Sequence, residues 1–283
     1  MHRSTRLLAT TLLAVFTAMA GGTAAAQAPA SADTLRQRYD TLGDALRDNA
    51  FGRPLVLESS ETKEQLSGNI YAVIDKPFAT VSSAMRSPGN WCEVLMLHLN
   101  TKYCAPQEQA GAVSLAVSVG RKFDQPLDQA QKVAFVFTPL ATDDHLLDVR
   151  LGAKEGPLST RDYRIELQAI PLPSGKTFIH LGYSYAYGAA ARFAMQAYLS
   201  TLGRDKAGFT TDGVRGVVER NTMRYYLAID SFLAAPSVAQ REPRAAAWFD
   251  ATERYPKQLH EMERDEYLAM KRNEFARLQQ ARP

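Results

Sequence analysis

From residue 98 to residue 187 apolar side chains recur at every second position, and this period dominates what the chain can fold into. Val113, Leu115, Val117 and Val119 alternate with small or polar residues, and Val133, Phe135 and Phe137 do the same. Leu147, Val149 and Leu151 follow, then Tyr163, Ile165, Leu167 and Ala169, in antiphase to Asp162, Arg164, Glu166 and Gln168. A first run, His98 to Cys104, and a last one, Lys176 to Tyr187, complete the series. A period of two places one set of side chains on one face of a strand. Asp143-Asp144, Gly156-Pro157 and Pro173-Ser174-Gly175 mark the turns. Upstream, Leu55 and Leu57, then Ile70, Ala72 and Ile74, flank a polar Glu-Thr-Lys-Glu turn and read as another antiparallel pair. The pattern predicts a curved antiparallel sheet with one buried face.

The remaining segments carry the helical period. Thr34 to Ala50 places Leu35, Tyr39, Leu42 and Leu46 on one face. Lys76-Pro77 opens a helix whose buried face is Phe78, Val81 and Met85; Ser87-Pro88-Gly89-Asn90 ends it, and Trp91 to Leu97 forms a second short helix. Ala189 to Leu202 is helical. The loop from Gly203 to Gly213 holds Gly208-Phe209, either a connector or a lid. Val214 to Leu233 is a long helix, apolar on much of its circumference, which Ala234-Ala235-Pro236-Ser237 breaks. The tail, residues 236–283, mixes both charge signs with sparse apolar residues such as Trp248, Phe249, Leu259 and Phe275, and is expected to form peripheral helices.

The N-terminus reads as an address. Arg3 and Arg6 precede an apolar stretch from Leu7 to Ala20, and Ala24-Ala25-Ala26 offers a small-x-small cleavage site, with Ala20 a second one. Residues 1–26 are therefore expected to be a secretory signal peptide and 27–33 a flexible leader, leaving a soluble periplasmic or secreted protein. The formal net charge of +3 loses the two signal arginines on cleavage. A nearly neutral surface argues against a nucleic-acid partner. In an oxidising compartment Cys92 and Cys104 read as a disulfide, worth about 3 kcal/mol in the chain-entropy treatment. The alternative is a metal site using His98, which lies midway between them.

The element order resembles the helix-grip fold of START-like lipid-transfer domains, within the SRPBCC superfamily. The resemblance rests on Pro77-Phe78 opening a helix after a strand and on Trp91-Cys92-Glu93 in the next helix. Asp162-Tyr163 in a late strand and Tyr183-Ser184-Tyr185 feeding a helix add to it. It spans residues 34–235; the break at 203–213 and the tail depart from a single closing helix. It implies an α+β fold, a curved antiparallel sheet around a long C-terminal helix. It also implies a hydrophobic ligand, lipid- or sterol-like, in an internal cavity, with transient membrane contact. Related domains include cyclases and hydrolases, so an enzyme acting on a hydrophobic substrate is the alternative. A cell-envelope adaptor that uses the tail to bind a protein partner is the second alternative.

The sequence holds no nucleophile elbow, no His-Glu-x-x-His and no phosphate or dinucleotide loop, so no catalytic set, metal or cofactor is expected. The candidate ligand-binding residues are Arg161, Tyr163, Tyr183, Tyr185, Asn221 and Arg224. Asn221 shares a helical face with Val214, Val217, Val218 and Tyr225, whereas Arg220 and Arg224 pair with Glu219 on a solvated face or bind a polar ligand head. Arg161 falls in phase with Tyr163, Ile165 and Leu167, at the cavity mouth or reaching solvent along its stem. Tyr183, Tyr185 and Tyr187 form either a core stripe or a set of hydroxyls offered to a ligand.

Overall fold

The computed structural model describes residues 31–201 and 207–280. The export signal, the first four residues of the leader and residues 202–206 lie outside the described residues. The chain begins with two short helices, α1 (Ala32–Thr41) and α2 (Gly43–Arg47), and then forms β1 (Leu55–Glu61) and β2 (Gln65–Ile74). Helices α3 (Phe78–Met85) and α4 (Pro88–Leu95) lead to six successive strands. These are β3 (Thr101–Gln109), β4 (Ala112–Val119), β5 (Gln131–Thr142), β6 (Leu147–Glu155), β7 (Thr160–Pro171) and β8 (Thr177–Tyr187). Helices α5 (Ala189–Ser200), α6 (Val214–Ala234), α7 (Arg241–Thr252), α8 (Pro256–Leu259) and α9 (Arg264–Gln280) complete the chain.

The eight strands form one antiparallel sheet in the order β1-β2-β8-β7-β6-β5-β4-β3. The only non-sequential neighbours are β2 and β8, so the long connection through α3 and α4 carries the chain to the far edge. Register keeps the period-two set together: Leu57 faces Ile70, Ile70 faces Leu181, Leu181 faces Leu167, and Ile165 faces Leu151. This face packs on α6, which is buried nearly all round because β1, β2 and β8 cover one side and α4 and α7 the other. A second, smaller core lies on the opposite face, where Leu35, Leu42 and Leu46 of the N-terminal helices cover Ile170, Leu172 and Phe178.

Several boundaries differ from the sequence expectation. Ser31 caps α1, its Oγ accepting from Thr34 N at 3.0 Å, so the leader gives way to helix before residue 34. The expected single helix over 34–50 is interrupted at Leu42, which adopts φ −87°, ψ 0°. Helix α4 begins at Pro88, three residues before the expected Trp91, since the fixed φ of proline suits a first helical turn.

The tail differs most. Instead of lying at the periphery, α7 and α9 pack on α6 and β3, and Trp248, Phe249, Tyr267 and Phe275 join the main core. The charges that obscured the apolar stripe are themselves buried in pairs. Arg241 and Arg244 grip Glu93 of α4, and Lys102 and Lys271 share Glu274 at 2.8 and 2.7 Å. Buried charges persist only where paired in this way.

Candidate functional site

Between the sheet and α6 the packing leaves a cavity of about 480 Å³, within the range of small-molecule sites. Val117, Val133 and Phe135 form its floor on β4 and β5. Tyr163, Tyr183 and Tyr185 form the wall on β7 and β8, and Asn221 and Tyr225 reach in from α6. His98, Asn100 and Thr101 close one end, and Pro157, Leu158 and Met195 stand at another side. Among the described residues the lining contains no Asp, Glu, Lys or Arg.

The tyrosines pack as a connected set. Tyr163 stacks on Tyr185 with ring centroids 5.3 Å apart, and Tyr183 meets Tyr225 edge-on at 5.2 Å. The Tyr163 hydroxyl pairs with Thr160 Oγ1 at 2.7 Å. The hydroxyls of Tyr183, Tyr185 and Tyr225 make no hydrogen bond among the described residues. Burial pushes the pKa of all three phenols up, so they stay protonated across the ordinary pH range.

His98 closes the strip, its ring stacked on Tyr225 at 5.2 Å. The turn that presents it is tightly held. Asn100 N donates to His98 Nδ1 at 3.2 Å, and Asn100 Nδ2 donates to the carbonyl of Gly120 at 2.7 Å. Because Nδ1 accepts a hydrogen bond, the neutral ring carries its proton on Nε2. Nε2 is buried and faces Asn221. Desolvation, then the positive charges of Arg224, Lys271 and Lys122, hold the His98 pKa well below its usual value.

The structure divides the candidate residues. Tyr163, Tyr183, Tyr185 and Asn221 line the cavity together. Arg224 does not: its Nη2 pairs with Glu261 at 2.8 Å and with the carbonyl of Leu259, tying α6 to the segment before α9. Arg161 does not either. Asp162 sits at φ 54°, and the three-residue step from Arg161 to Arg164 on β7 is matched by a two-residue step from Ala186 to Ser184 on β8. This bulge reverses the strand phase. Arg161 therefore faces outward, 44% exposed, near Glu64 at 3.7 Å and Asp162 at 3.5 Å.

The solvated face expected for Glu219 is also corrected. Glu219 is fully buried and accepts from Phe209 N at 2.6 Å, Thr210 N at 2.9 Å and Ser59 Oγ at 2.6 Å. These bonds hold the Gly208-Phe209 segment down, and Phe209 packs on Phe51 and Tyr255, away from the cavity lining. It is a connector. Cys92 and Cys104 are bonded to each other, with Cα atoms 5.2 Å apart, which removes the thiolates a metal site with His98 would need.

No family model and no curated protein matches this sequence. Solved structures with a similar course of the chain include truncated norcoclaurine synthase from Thalictrum flavum, 10% identical, with a TM-score of 0.39, covering 63% of this chain and 99% of that one. Human StAR-related lipid transfer protein 5 is 11% identical, with a TM-score of 0.35 and coverage of 71% and 97%. A conserved protein of unknown function from Enterococcus faecalis is 8% identical, with a TM-score of 0.37 and coverage of 84% and 98%. At these scores the likenesses carry no argument about ligand or activity.

The fold is a helix-grip fold. That statement rests on the molecule itself, with two strands, two short helices, six strands and a long helix against one antiparallel sheet. Within it, two site residues escaped the sequence reading as ligand contacts. Tyr225 was legible, four residues from Asn221 on the same helical face. His98 was not, because the reading put it in a strand, whereas it lies in the turn between α4 and β3.

Proposed function

We propose that this is an exported binding or carrier protein whose cavity holds a hydrophobic molecule, lipid- or sterol-like. The cavity carries the reading: about 480 Å³ lined by aliphatic and aromatic side chains, with a few polar groups and, among the described residues, no charge. An apolar body gains by leaving water for such a space. Leu158, 82% exposed and lining the cavity, is an apolar contact point for a membrane during loading. Export is supported by the pattern of residues 1–26 and fits the Cys92–Cys104 bridge, which persists in oxidising compartments.

Native mass spectrometry of protein purified without detergent from its own compartment tests both parts. The expected result is a chain beginning after Ala26 or Ala20 and carrying a co-purifying apolar molecule. A chain that retains its N-terminus contradicts export. An empty chain that also binds nothing in a lipid panel contradicts the carrier reading.

An enzyme on the same fold is the second reading, favoured by His98, which places an imidazole in the cavity wall beside Tyr225. Turnover of a bound ester or aldehyde that disappears in His98→Phe would support it over simple carriage. The adaptor reading loses its basis, because the apolar residues of the tail are spent in the main core.

A further inference from the structure

Three neutral polar side chains run side by side along one wall of the cavity: His98 against Tyr225 at 5.2 Å, and Tyr225 against Tyr183 at 5.2 Å. The two phenol oxygens have no protein partner among the described residues, whereas Nε2 of the imidazole is closed off from the cavity and faces Asn221. A phenol hydroxyl left without a partner in an apolar cavity is costly. A guest that supplies the partner recovers that cost. What the strip can offer is defined by chemistry. Each phenol offers an O–H that can donate to a guest and can also accept, and His98 backs Tyr225 as a neutral ring. Neither phenol is charged.

Charges behind the wall sharpen the selection. Arg224 and Lys122 both pair with Glu261, at 2.8 Å each, and Lys102 and Lys271 both pair with Glu274. Their positive field keeps His98 neutral, yet none of these side chains lines the cavity. A carboxylate guest would feel that field favourably, but it would lose its hydration without meeting an ion pair, and the lost hydration outweighs a field that Glu261 and Glu274 partly cancel. An alkylammonium guest would meet neither a carboxylate nor a favourable field.

We propose that the guest is uncharged and carries a carbonyl-type oxygen at its inner end, which accepts hydrogen bonds from the Tyr225 and Tyr183 hydroxyls. This rests on the carrier reading above and specifies the head group of its ligand. A ketone, an ester or an amide on an apolar body meets the description; a free fatty acid or a quaternary amine does not.

The test uses the mature full-length chain and four probes of matched length: dodecane, dodecan-2-one, dodecanoate at pH 8 and dodecyltrimethylammonium. Binding is read by displacement of a fluorescent apolar dye from the cavity. Dodecan-2-one is expected to bind about tenfold more tightly than dodecane, the worth of one to two well-placed hydrogen bonds. The two ions are expected to bind more weakly than dodecane. Tyr183→Phe and Tyr225→Phe preserve the packing and should each lower the ketone's advantage while leaving dodecane unchanged. Dodecanoate binding above the ketone, or an unchanged ketone preference in both variants, would overturn the proposal. If dodecane binds and the ketone gains nothing, only the head-group assignment fails. If none of the four binds, the carrier reading fails with it.

Discussion

Lys271 Nζ donates to the carbonyl oxygen of His98 at 2.7 Å, so the last helix of the chain holds the backbone of a residue that lines the cavity. The same turn is held at three further points. Tyr267 Oη donates to the carbonyl of Leu97 at 2.9 Å, Lys102 Nζ to that of Leu99 at 2.8 Å, and Lys271 Nζ also to that of Thr101 at 3.3 Å. Glu274 makes this arrangement possible, because each of its carboxylate oxygens accepts from one of the two buried ammonium groups, which share its single negative charge. Desolvation brings the Lys271 pKa down to about 8, and Glu274 opposes that shift.

Glu274→Gln therefore leaves two buried cations sharing no counter-charge. Such a change costs about 3–5 kcal/mol, which urea unfolding followed by circular dichroism would register as a large drop in midpoint. Replacing Lys102, Lys271 and Glu274 together by Met should recover much of the loss. A Glu274→Gln protein as stable as the wild type would show that the triad is not held as described.

Gly68 on β2 lies directly against α6. A Cβ there would lie 2.3 Å from Thr222 Oγ1 and 3.4 Å from the carbonyl of Val218. Gly68→Ala is expected to push α6 off the sheet at a cost of about 1–3 kcal/mol. Adding Thr222→Ala should restore part of it, since the nearest clashing atom is then gone. The unfolding midpoints of the single and double variants check this.

Acidification should destabilise the fold before carboxylates protonate. Burial lowers the pKa of His180 to about 4, and that of His98 well below 6.5. Between pH 6.5 and about 4 the unfolded chain takes up protons that the native chain refuses. Stability therefore rises with pH through this window and is lost as pH falls. His180 sits between Gln168 Oε1 at 3.1 Å and Asn69 Oδ1 at 2.9 Å, on the outer face of the sheet. His180→Gln should flatten the dependence of the urea midpoint between pH 7 and pH 4.5. An identical slope in the variant would contradict the assignment.

The disulfide joins α4 to β3 on either side of the turn that carries His98. Cys92→Ser with Cys104→Ser is expected to lower stability by about 3 kcal/mol. It should also weaken binding of any cavity ligand that contacts His98. Calorimetry and dye binding on the same sample separate the two effects, and thiol labelling of the unreduced, denatured wild type should find no free thiol.

The sheet was legible because its signal is local and regular. The runs of alternating apolar residues from Leu55 to Tyr187 became strands, except for the start of the His98–Cys104 run, which is a turn, and the paired inner positions meet in register. The errors arise where one residue or one distant partner changes the outcome. A single extra residue at the Asp162 bulge moved Arg161 to the outer face. Arg224 has its carboxylate partner at Glu261, 37 positions away, which helical periodicity does not show. The tail looked solvated because Arg241, Arg244, Lys271 and Glu274 break its apolar stripe, yet these charges point inward and are matched by Glu93 and Lys102.

The most direct measurement titrates an uncharged fluorescent probe, N-phenyl-1-naphthylamine, into the purified mature protein and into Val133→Trp, a change on the cavity floor that fills the space. The wild type is expected to bind one probe per chain, saturably, with emission enhanced and shifted to the blue, and the filled variant to bind none while unfolding at a similar temperature. Saturable binding of equal strength in both proteins, or none in either, would contradict the claim that this cavity is the protein's ligand site.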